Sequence, residues 1–426
     1  MLYSNFVLEM PQATKIRAQV GPEDGPLITT GYRNSLFAKQ GIMNTTDFAI
    51  EEKRDDTDQP AINSGSTQTF YLEKEGTSAG NLTMCLDVPA LEPLVGGAKT
   101  YVRGSDFLGL ALLHPTEAVT YTYSVNNLDR TVPDRIYEEY KFSSNEIRTI
   151  FEGLLIGNKS QPERNTLATA TQKVRIPLPH PWAGRGNELP ICALANKVKI
   201  TIRFNDCANF IETDGTKPAT VTFSNVFLRY ELIHMPGPDR AELVSLTNTK
   251  QGLLTLFDEA KKLDFDIPVN GLFATASDLG YPLDISDLDG TLKNVYILIR
   301  LLSDVDNAVA NPKPYEFDTS ILDAITAQMR SNDKILFEPT TASGLQLEHL
   351  KDLYECMGNV NGLYMWFDKE PRCHDFASGH IQLSSYTNPR IYLKSSIAHA
   401  PLRVSVIARG HNWTIQKGGS IQRMWD

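Results

Sequence analysis

Residues 198–204, VKITIRF, carry an apolar side chain at every second position. In an extended strand these side chains lie on one face, and the polar residues between them lie on the other. The apolar positions are Val198, Ile200, Ile202 and Phe204. This alternation is typical of a strand with one buried face in a β-sandwich, so we expect sheets to dominate the fold.

Similar short runs recur along the chain and are separated by turn-forming residues. In the first half, further predicted strands cover residues 69–72, 82–88, 108–113, 119–125, 173–178 and 221–233. In the second half, they cover residues 295–302, 336–337, 363–367, 381–383, 391–393 and 402–407. The sequence therefore predicts an all-β protein.

Three stretches instead predict short helical insertions. Residues 133–155 space their apolar side chains as a helix does, with a break near residues 143–145, SSN, which can cap a second helix. Residues 345–357 place leucines and a tyrosine on one side of a helix. A helical connector is expected over residues 241–262.

The chain has 426 residues, more than one hydrophobic core usually accommodates, so at least two cores are expected. Residues 235–240, MPGPDR, form a strong cluster of breaking residues and mark the boundary. The predicted division is an N-terminal arm over residues 1–30, a first unit over 31–238, a connector over 239–262 and a second unit over 263–426.

The two halves repeat one order of elements. In each half a strand pair leads into a helix, over residues 121–140 and again over residues 335–354. One strand follows, at residues 176–179 and at residues 363–367. Each half then ends with two further strands and a long closing strand. This internal similarity predicts two copies of one fold.

Composition excludes several classes of protein. The formal net charge is −10, unlike the basic balance of proteins that grip phosphates, so we expect no strong nucleic-acid binding. The five cysteines are too few and too scattered for a disulfide framework and indicate reduced thiols. No run approaches the ~18 apolar residues of a membrane span, and residues 1–5 lack the features of a secretory signal.

Two clusters contain metal-ligating residue types. Cys373 and His374 lie near His380 in the sequence, but a structural zinc site usually needs four ligands in paired spacing, and no CxxC occurs. We expect no metal there. A second cluster, before Gly290, has the wrong spacing for a calcium loop, and turn formation explains it better. Its members are Asp284, Asp287 and Asp289.

No catalytic or cofactor-binding constellation stands out. The pairs at residues 96–97 and 418–419, both Gly-Gly, lack the strand–loop–helix context of a phosphate-binding loop. No GxSxG elbow marks a nucleophilic serine. Trp366 and Trp413 lie in or beside apolar strands, which favours packing in a core or subunit interface over ligand stacking. We therefore expect no enzyme activity, no cofactor and no catalytic, cofactor-binding or metal residues.

Several motifs follow one another in a fixed order. Residues 174–179, VRIPLP, precede residues 189–194, LPICAL, and then the strand at residues 198–204. Later come residues 378–384, SGHIQLS, and a closing element over residues 404–424 that contains Asn412, Gly418 and Gly419.

This ordered set resembles the double jelly-roll major capsid proteins of large icosahedral double-stranded DNA viruses. Residues 174–204 are similar to the family's "xPL" strand, its "LPLxAL" segment and its "VKL" strand. Residues 378–384 look like the family's "SGxxNxS" turn, with Gln382 in place of Asn. The segment Tyr32-Arg33 and residues 46–51 look like the approach to the family's first strand.

The resemblance implies two eight-stranded β-sandwiches in tandem, that is, a double jelly roll. It implies a structural coat protein that forms homotrimers, whose pseudo-hexagonal capsomers tile an icosahedral virion shell. Neighbouring capsomers and minor capsid proteins would be its partners, in a virion assembled in the host cytoplasm or nucleus. An internal membrane can lie close to such a shell, but no membrane span is expected.

Two alternatives stay open. One is a minor capsid or scaffold protein of the same fold. The other is a tandem jelly-roll protein that processes or binds glycans. Because glycan hydrolysis needs paired carboxyl groups, Glu231 and Asp239 near the predicted boundary would be its first candidates.

Overall fold

The structure is a computed structural model. It describes residues 49–56, 61–91, 100–102, 107–123, 127–141, 145–157, 159–179, 188–213, 217–250, 252–273, 279–288, 290–305, 315, 319–341, 362–367 and 380–423. The predicted N-terminal arm over residues 1–30 and the predicted helix over residues 345–357 lie outside these ranges.

The first part of the chain, up to His234, forms one unit. Its strands are β1 (Ala49–Asp56), β2 (Ala61–Asn63), β3 (Thr67–Tyr71), β4 (Ser78–Val88), β5 (Thr100–Val102), β6 (Val119–Thr122), β7 (Asn127–Thr131), β8 (Gln172–Pro177), β9 (Lys199–Arg203), β10 (Ile211–Thr213) and β11 (Thr222–His234). Its helices are α1 (Leu108–Ala111), α2 (Pro133–Lys141), α3 (Asn145–Leu155) and α4 (Gln161–Ala168). Helix α5 (Gly237–Thr247) leads to the second unit.

The second unit repeats this arrangement. Its strands are β12 (Leu253–Ile267), β13 (Tyr281–Asp284), β14 (Thr291–Leu301), β15 (Ile325–Ser331), β16 (Lys334–Thr341), β17 (Leu363–Trp366), β18 (Ile381–Gln382), β19 (Pro389–Ser395), β20 (Leu402–Lys417) and β21 (Ser420–Arg423). Two short helices, α6 (Leu302–Val305) and α7 (Thr319–Asp323), lie between β14 and β15. None of the described helices is both long and apolar enough to cross a membrane.

The sheet topology identifies both units as jelly rolls. The first unit has sheets of order β1-β11-β4-β8 and β3-β9-β6-β7, and the second has β12-β20-β14-β17 and β13-β19-β15-β16. If the short strands β2, β5, β10, β18 and β21 are set aside, each unit pairs its strands in the order first–eighth–third–sixth and second–seventh–fourth–fifth. All these pairs are antiparallel. Two sheets in this order form a jelly roll, so the predicted tandem double jelly roll is confirmed.

Alternating side chains build the core of each unit. In β9, Ile200 and Ile202 are fully buried while Lys199 is exposed, as the pattern of residues 198–204 predicts. The apolar faces of the two sheets meet in a core that includes Phe70 and Leu228. The second unit has its own core between its two sheets. It includes Leu283, Met329, Ile391 and Val404.

The predicted repetition is confirmed for the order of the strands, while the helix predicted in the second half lies outside the described residues. Strands β8 and β17, which contain residues 176–177 and 363–366, are each the sixth main strand of their unit. The predicted helix over residues 133–155 is present as α2, which ends at Lys141, and α3, which begins at Asn145.

Two predicted elements are wrong. Residues 108–113 were expected to form a strand, but residues Leu108–Ala111 form helix α1. Every residue of this short run is buried, and a run without alternation fits a strand and a buried helix equally well. The connector helix ends at Thr247, and Leu253–Ile267 is a strand. Its Glu, Ala and Lys residues favour a helix, but pairing with β20 along the whole of β12 overrides that propensity.

The domain limits at residues 238 and 262 stay a prediction. Because residues 253–262 pair with β20, they belong to the sheet of the second jelly roll, which suggests a shorter connector than the sequence predicts.

Candidate functional site

The sheet β12-β20-β14-β17 is covered on both faces. Val295, Ile297 and Ile299 of β14 point into the core of the second unit. The alternate residues Tyr296 and Leu298 belong to the core cluster of the first unit. Because successive side chains of a strand point to opposite faces, the outer face of this sheet packs against the first unit. Double coverage explains why β14 is apolar along most of its length instead of alternating.

Helix α2 is the element of the first unit that brings charge to this contact. It begins at Pro133, and proline suits the first helical turn for two reasons. Its φ is already close to the helical value, and the N–H that it lacks would have no partner within the helix at this position. Asp134 lies in the first turn and Glu138 lies one turn later, on the same side of the helix. The two residues are only 4% and 1% exposed. Carboxylates are rarely buried to this extent without cationic partners.

Asp134 binds the second unit through a fork with Arg300 of β14. Nη1 of Arg300 donates to Oδ1 and Nη2 donates to Oδ2, each at 3.0 Å. Nζ of Lys262 lies 2.6 Å from Oδ2, and the hydroxyl of Tyr315 donates to Oδ1 at 3.2 Å. Nη2 of Arg300 also donates to Oγ of Ser405 at 2.7 Å. A bidentate, charge-assisted contact of this kind fixes orientation as well as distance.

Glu138 contributes a second ion pair, to Arg409 of β20. Nε of Arg409 lies 2.9 Å from Oε1 of Glu138, and Nη2 lies 2.7 Å from Oε1 of Glu139. Within helix α2, Arg135 lies 2.9 Å from Glu138 and 2.8 Å from Glu139. The side chain of Arg409 is buried between the two units. Two arginines and two carboxylates therefore balance their charges there, which offsets much of the cost of removing them from water.

Aromatic side chains surround the charged contact. Tyr315, from the segment between β14 and β15, places its ring centroid 5.1 Å from that of Tyr137 in α2 and 6.4 Å from that of Phe107. These rings belong to the same buried cluster as Tyr296 and Leu298. The buried apolar surroundings strengthen the electrostatic attraction across the contact and also raise the cost of breaking it.

The neighbouring cations determine the pKa of Asp134. Burial would raise the pKa of this carboxyl, but Arg300 and Lys262 outweigh burial and hold the pKa well below its usual range. Burial would lower the pKa of Arg300, but Asp134 outweighs it and raises that pKa. Both groups therefore stay charged at neutral and mildly acidic pH. Removal of one member of such a buried pair typically costs ~3–5 kcal/mol, because the other is left without its partner.

The motif at residues 189–194 forms a second contact between the units. Nε2 of Gln416 in β20 donates to the carbonyl oxygen of Pro190 at 2.9 Å. The N–H of Ala195 donates to the carbonyl oxygen of Gly419 at 2.8 Å. Gly418 and Gly419 form the turn between β20 and β21, with φ values of 57° and 80°. A Cβ on Gly419 would lie 2.9 Å from Cβ of Ala195, so both the backbone and the available space require glycine there.

The sequence candidates for metal binding form no cluster among the described residues. Cys373, His374 and Asp289 lie outside the described residues, and His380 directly precedes β18. Asp284 is engaged in a turn. Its Oδ1 accepts hydrogen bonds from the hydroxyl and the N–H of Ser286, which lower the pKa of Asp284. In the part of the chain that the structure describes, no group of three or more His, Cys, Asp or Glu side chains could hold a metal ion.

The remaining candidates are also dispersed. Trp366 pairs with Asn294 and Trp413 pairs with Leu256 in the sheet of the second unit, but their side chains lie outside the described residues. Residues 96–97 lie outside them as well. Glu231 lies in β11 and accepts a hydrogen bond from the side-chain amide of Asn81. Asp239 is half-buried in the first turn of α5.

Sequence reasoning singled out none of the four charged residues at the centre of the contact. They are Asp134, Glu138, Arg300 and Arg409. One signal was present, because Arg300 interrupts the apolar run VYILIRLL. A charged residue inside a strand that is apolar on both faces requires a buried partner. The identity of that partner depends on tertiary structure and could not be predicted from a single sequence.

The two connected jelly rolls define the class of double jelly-roll proteins, and solved structures share this fold. VP54 of PBCV-1, whose crystal structure was fitted into a cryo-EM reconstruction of the virophage Sputnik, matches with a TM-score of 0.67 at 14% identity, over 92% of this chain and 100% of VP54. The Faustovirus major capsid protein matches with a TM-score of 0.63 at 11% identity, over 97% of this chain and 98% of that protein. The chain therefore has the fold of double jelly-roll major capsid proteins, as the sequence resemblance predicts.

The likeness is one of structure alone. No family model matches the sequence, and no curated protein matches it.

Proposed function

We propose that this chain is a structural major capsid protein that assembles into homotrimeric, pseudo-hexagonal capsomers, which tile the shell of an icosahedral DNA virus. The fold, shared over nearly the whole chain with VP54 of PBCV-1 and the Faustovirus major capsid protein, supports this proposal. A structural role also suits a molecule in which buried ion pairs hold one jelly roll against the other.

The observation that carries the proposal is the fixed side-by-side arrangement of the two jelly rolls. Buried charge pairs at helix α2 and glycine-dependent packing near Ala195 hold one unit against the other at two places. A trimer of such chains has six similar units around one axis, so its outline is nearly hexagonal although its symmetry is threefold. That outline allows each capsomer to meet similar neighbours on every side.

Partners and location follow from this role. Neighbouring capsomers and minor capsid proteins would contact the outer sides of the trimer, in a virion assembled in the host cytoplasm or nucleus. The net charge of −10 disfavours strong contact with the phosphates of the genome.

Native mass spectrometry of the purified full-length chain, combined with negative-stain electron microscopy, tests the proposal. We expect the mass of three chains at micromolar concentration and particles with a hexagonal outline. A strict monomer at high protein concentration would contradict the proposal.

A further inference from the structure

The outer face of the first unit's sheet β1-β11-β4-β8 carries a group of arginines around one aromatic ring. We call it the arginine face and define it by Arg54 of β1, Arg175 of β8, and Phe227 and Arg229 of β11. The guanidinium carbon of Arg54 lies 3.8 Å from the centroid of the Phe227 ring, and that of Arg175 lies 5.8 Å from it. Cation–π contacts of this kind keep the guanidinium groups spread over the sheet.

Nε of Arg54 donates to Oδ1 of Asp56 in an exposed ion pair, but the other two arginines are only weakly paired. Arg229 lies 3.9 Å from Glu52, and Arg175 lies 4.0 Å from Asp87, both at the limit of an ion pair. The side chains of Arg54 and Arg229 are 51% and 43% exposed, so their donors remain accessible to a further partner. Pairs this exposed contribute little to stability.

The corresponding face of the second unit is chemically similar, but it is covered. There the cations are Lys262 on the first main strand, Arg300 on the third and Arg409 on the eighth. On the arginine face they are Arg54 on the first strand, Arg175 on the sixth and Arg229 on the eighth. In the second unit, helix α2 covers these cations with Asp134 and Glu138, which are spaced by four residues.

The sequence contains a matching segment in the second unit. Residues 345–357, LQLEHLKDLYECM, lie between the fifth and sixth main strands, where α2 and its neighbours lie in the first unit. This segment is predicted to be a helix and has carboxylates at Glu348 and Asp352, again spaced by four residues. It lies outside the described residues, so its match to α2 rests on sequence position and charge.

We infer that the arginine face binds a second copy of this chain, through the acidic segment at residues 345–357 of that copy's second unit. A contact of this kind joins two different surfaces, a sheet face and a segment that the sequence predicts to be helical. Within one chain, helix α2 makes this contact with the second unit, and the arginine face stays available to a neighbouring copy. Repetition of such a contact closes into a ring when the rotation permits. The inference rests on the proposed function and adds which surfaces meet between the subunits.

Charge reversal on the full-length chain tests this inference. The variant Arg229→Glu should raise the dissociation constant of the oligomer at least about tenfold, because the reversed charge would repel Glu348 and Asp352. The matched control is Lys199→Glu, which makes the same charge change at an exposed position of the other sheet of the same unit. Analytical ultracentrifugation over a concentration series measures both constants, and thermal unfolding checks that each chain stays folded.

An exchange of charges between the two surfaces provides a second test of the inference. Arg229 lies on the eighth strand, as Arg409 does, and Arg409 binds the later carboxylate of its pair, so Asp352 is the expected partner. The double variant Arg229→Asp with Asp352→Arg should recover most of the wild-type affinity. Two results would overturn this inference alone, provided that the wild type forms the oligomer. One is an unchanged dissociation constant in Arg229→Glu, and the other is an equal loss of affinity in Arg229→Glu and Lys199→Glu. A monomeric wild type would overturn the proposed function as well.

Discussion

The two equivalent sheets differ most on their outer faces. In the first unit, β1 is largely exposed and the outer face of its sheet is charged and open. In the second unit, β14 and the neighbouring part of β20 are buried on both faces, and the cations there are held in close ion pairs. Strand order is the same in both sheets, so topology does not determine this difference. Coverage by the neighbouring unit determines it.

This difference shows that similar charges can serve two purposes on one fold. Where the face is buried, an arginine fork fixes the orientation of one domain against the other, and its loss leaves a buried charge without a partner. Where the face is exposed to solvent, the arginines contribute little to the free energy of unfolding and remain available for a partner. The covered face is therefore an internal example of the contact that we propose for the open face between copies.

The largest expected effect is at Asp134. The variant Asp134→Ala should lower the free energy of unfolding by ~3–5 kcal/mol, because Arg300 and Lys262 would stay buried without their carboxylate. Urea unfolding followed by circular dichroism measures the loss. Asp239→Ala is the matched control, since Asp239 also follows a proline in the first turn of a helix but is only half-buried. It should cost at most about 1 kcal/mol, and equal losses in the two variants would contradict the account.

The next largest loss of stability is expected at the second contact between the units. Gly419→Ala should lower the free energy of unfolding by ~2–4 kcal/mol, because a positive φ strains alanine and its Cβ would press on Ala195. Gly418→Ala is the control. Its φ is also positive, but nothing lies near its Cβ position, so it should cost only about 1–2 kcal/mol. If both variants lose the same amount in urea unfolding, packing against Ala195 does not hold the two units.

The pH dependence of the free energy of unfolding tests the Asp134 contact on the covered face. The folded pKa of Asp134 is below its usual range, so its stabilising effect is fully present above the unfolded value of about 4. The stability advantage of the wild type over Asp134→Asn should therefore be constant from pH 8 to pH 5. It should shrink only as the pH falls below about 4 toward the folded pKa. Urea unfolding at several pH values measures it, and an advantage that fades between pH 7 and pH 5 would contradict the assignment.

The smallest effect is expected on the open face. Arg229→Ala should change the free energy of unfolding of the single chain by less than about 1 kcal/mol, since its pair with Glu52 is long and exposed. The measurement is urea unfolding at a protein concentration where the oligomer has dissociated. A loss comparable to that of Asp134→Ala would mean that the arginines of this face are needed for folding, and the contrast between the two faces would fail.

The sequence predicts the jelly-roll strands well because one buried face imposes alternation, as in residues 198–204. It fails where another force outweighs local pattern. The strand β12 contains good helix formers, and only its pairing with β20, far along the chain, makes it a strand. The charged contact between the units could not be predicted from the sequence for a similar reason. Arg300 is recognisable as unusual, but Asp134 lies 166 residues away and becomes its partner only after both units fold.

Electron cryo-microscopy of the purified oligomer tests the central claim most directly, at a resolution that resolves side chains. The claim is that equivalent sheet faces are covered within the chain in the second unit and between chains in the first. We predict density from a neighbouring copy over Arg54, Arg175 and Arg229, with a helix that brings Asp352 close to Arg229. An oligomer in which this face stays open to solvent, while the subunits meet through other surfaces, would contradict the claim.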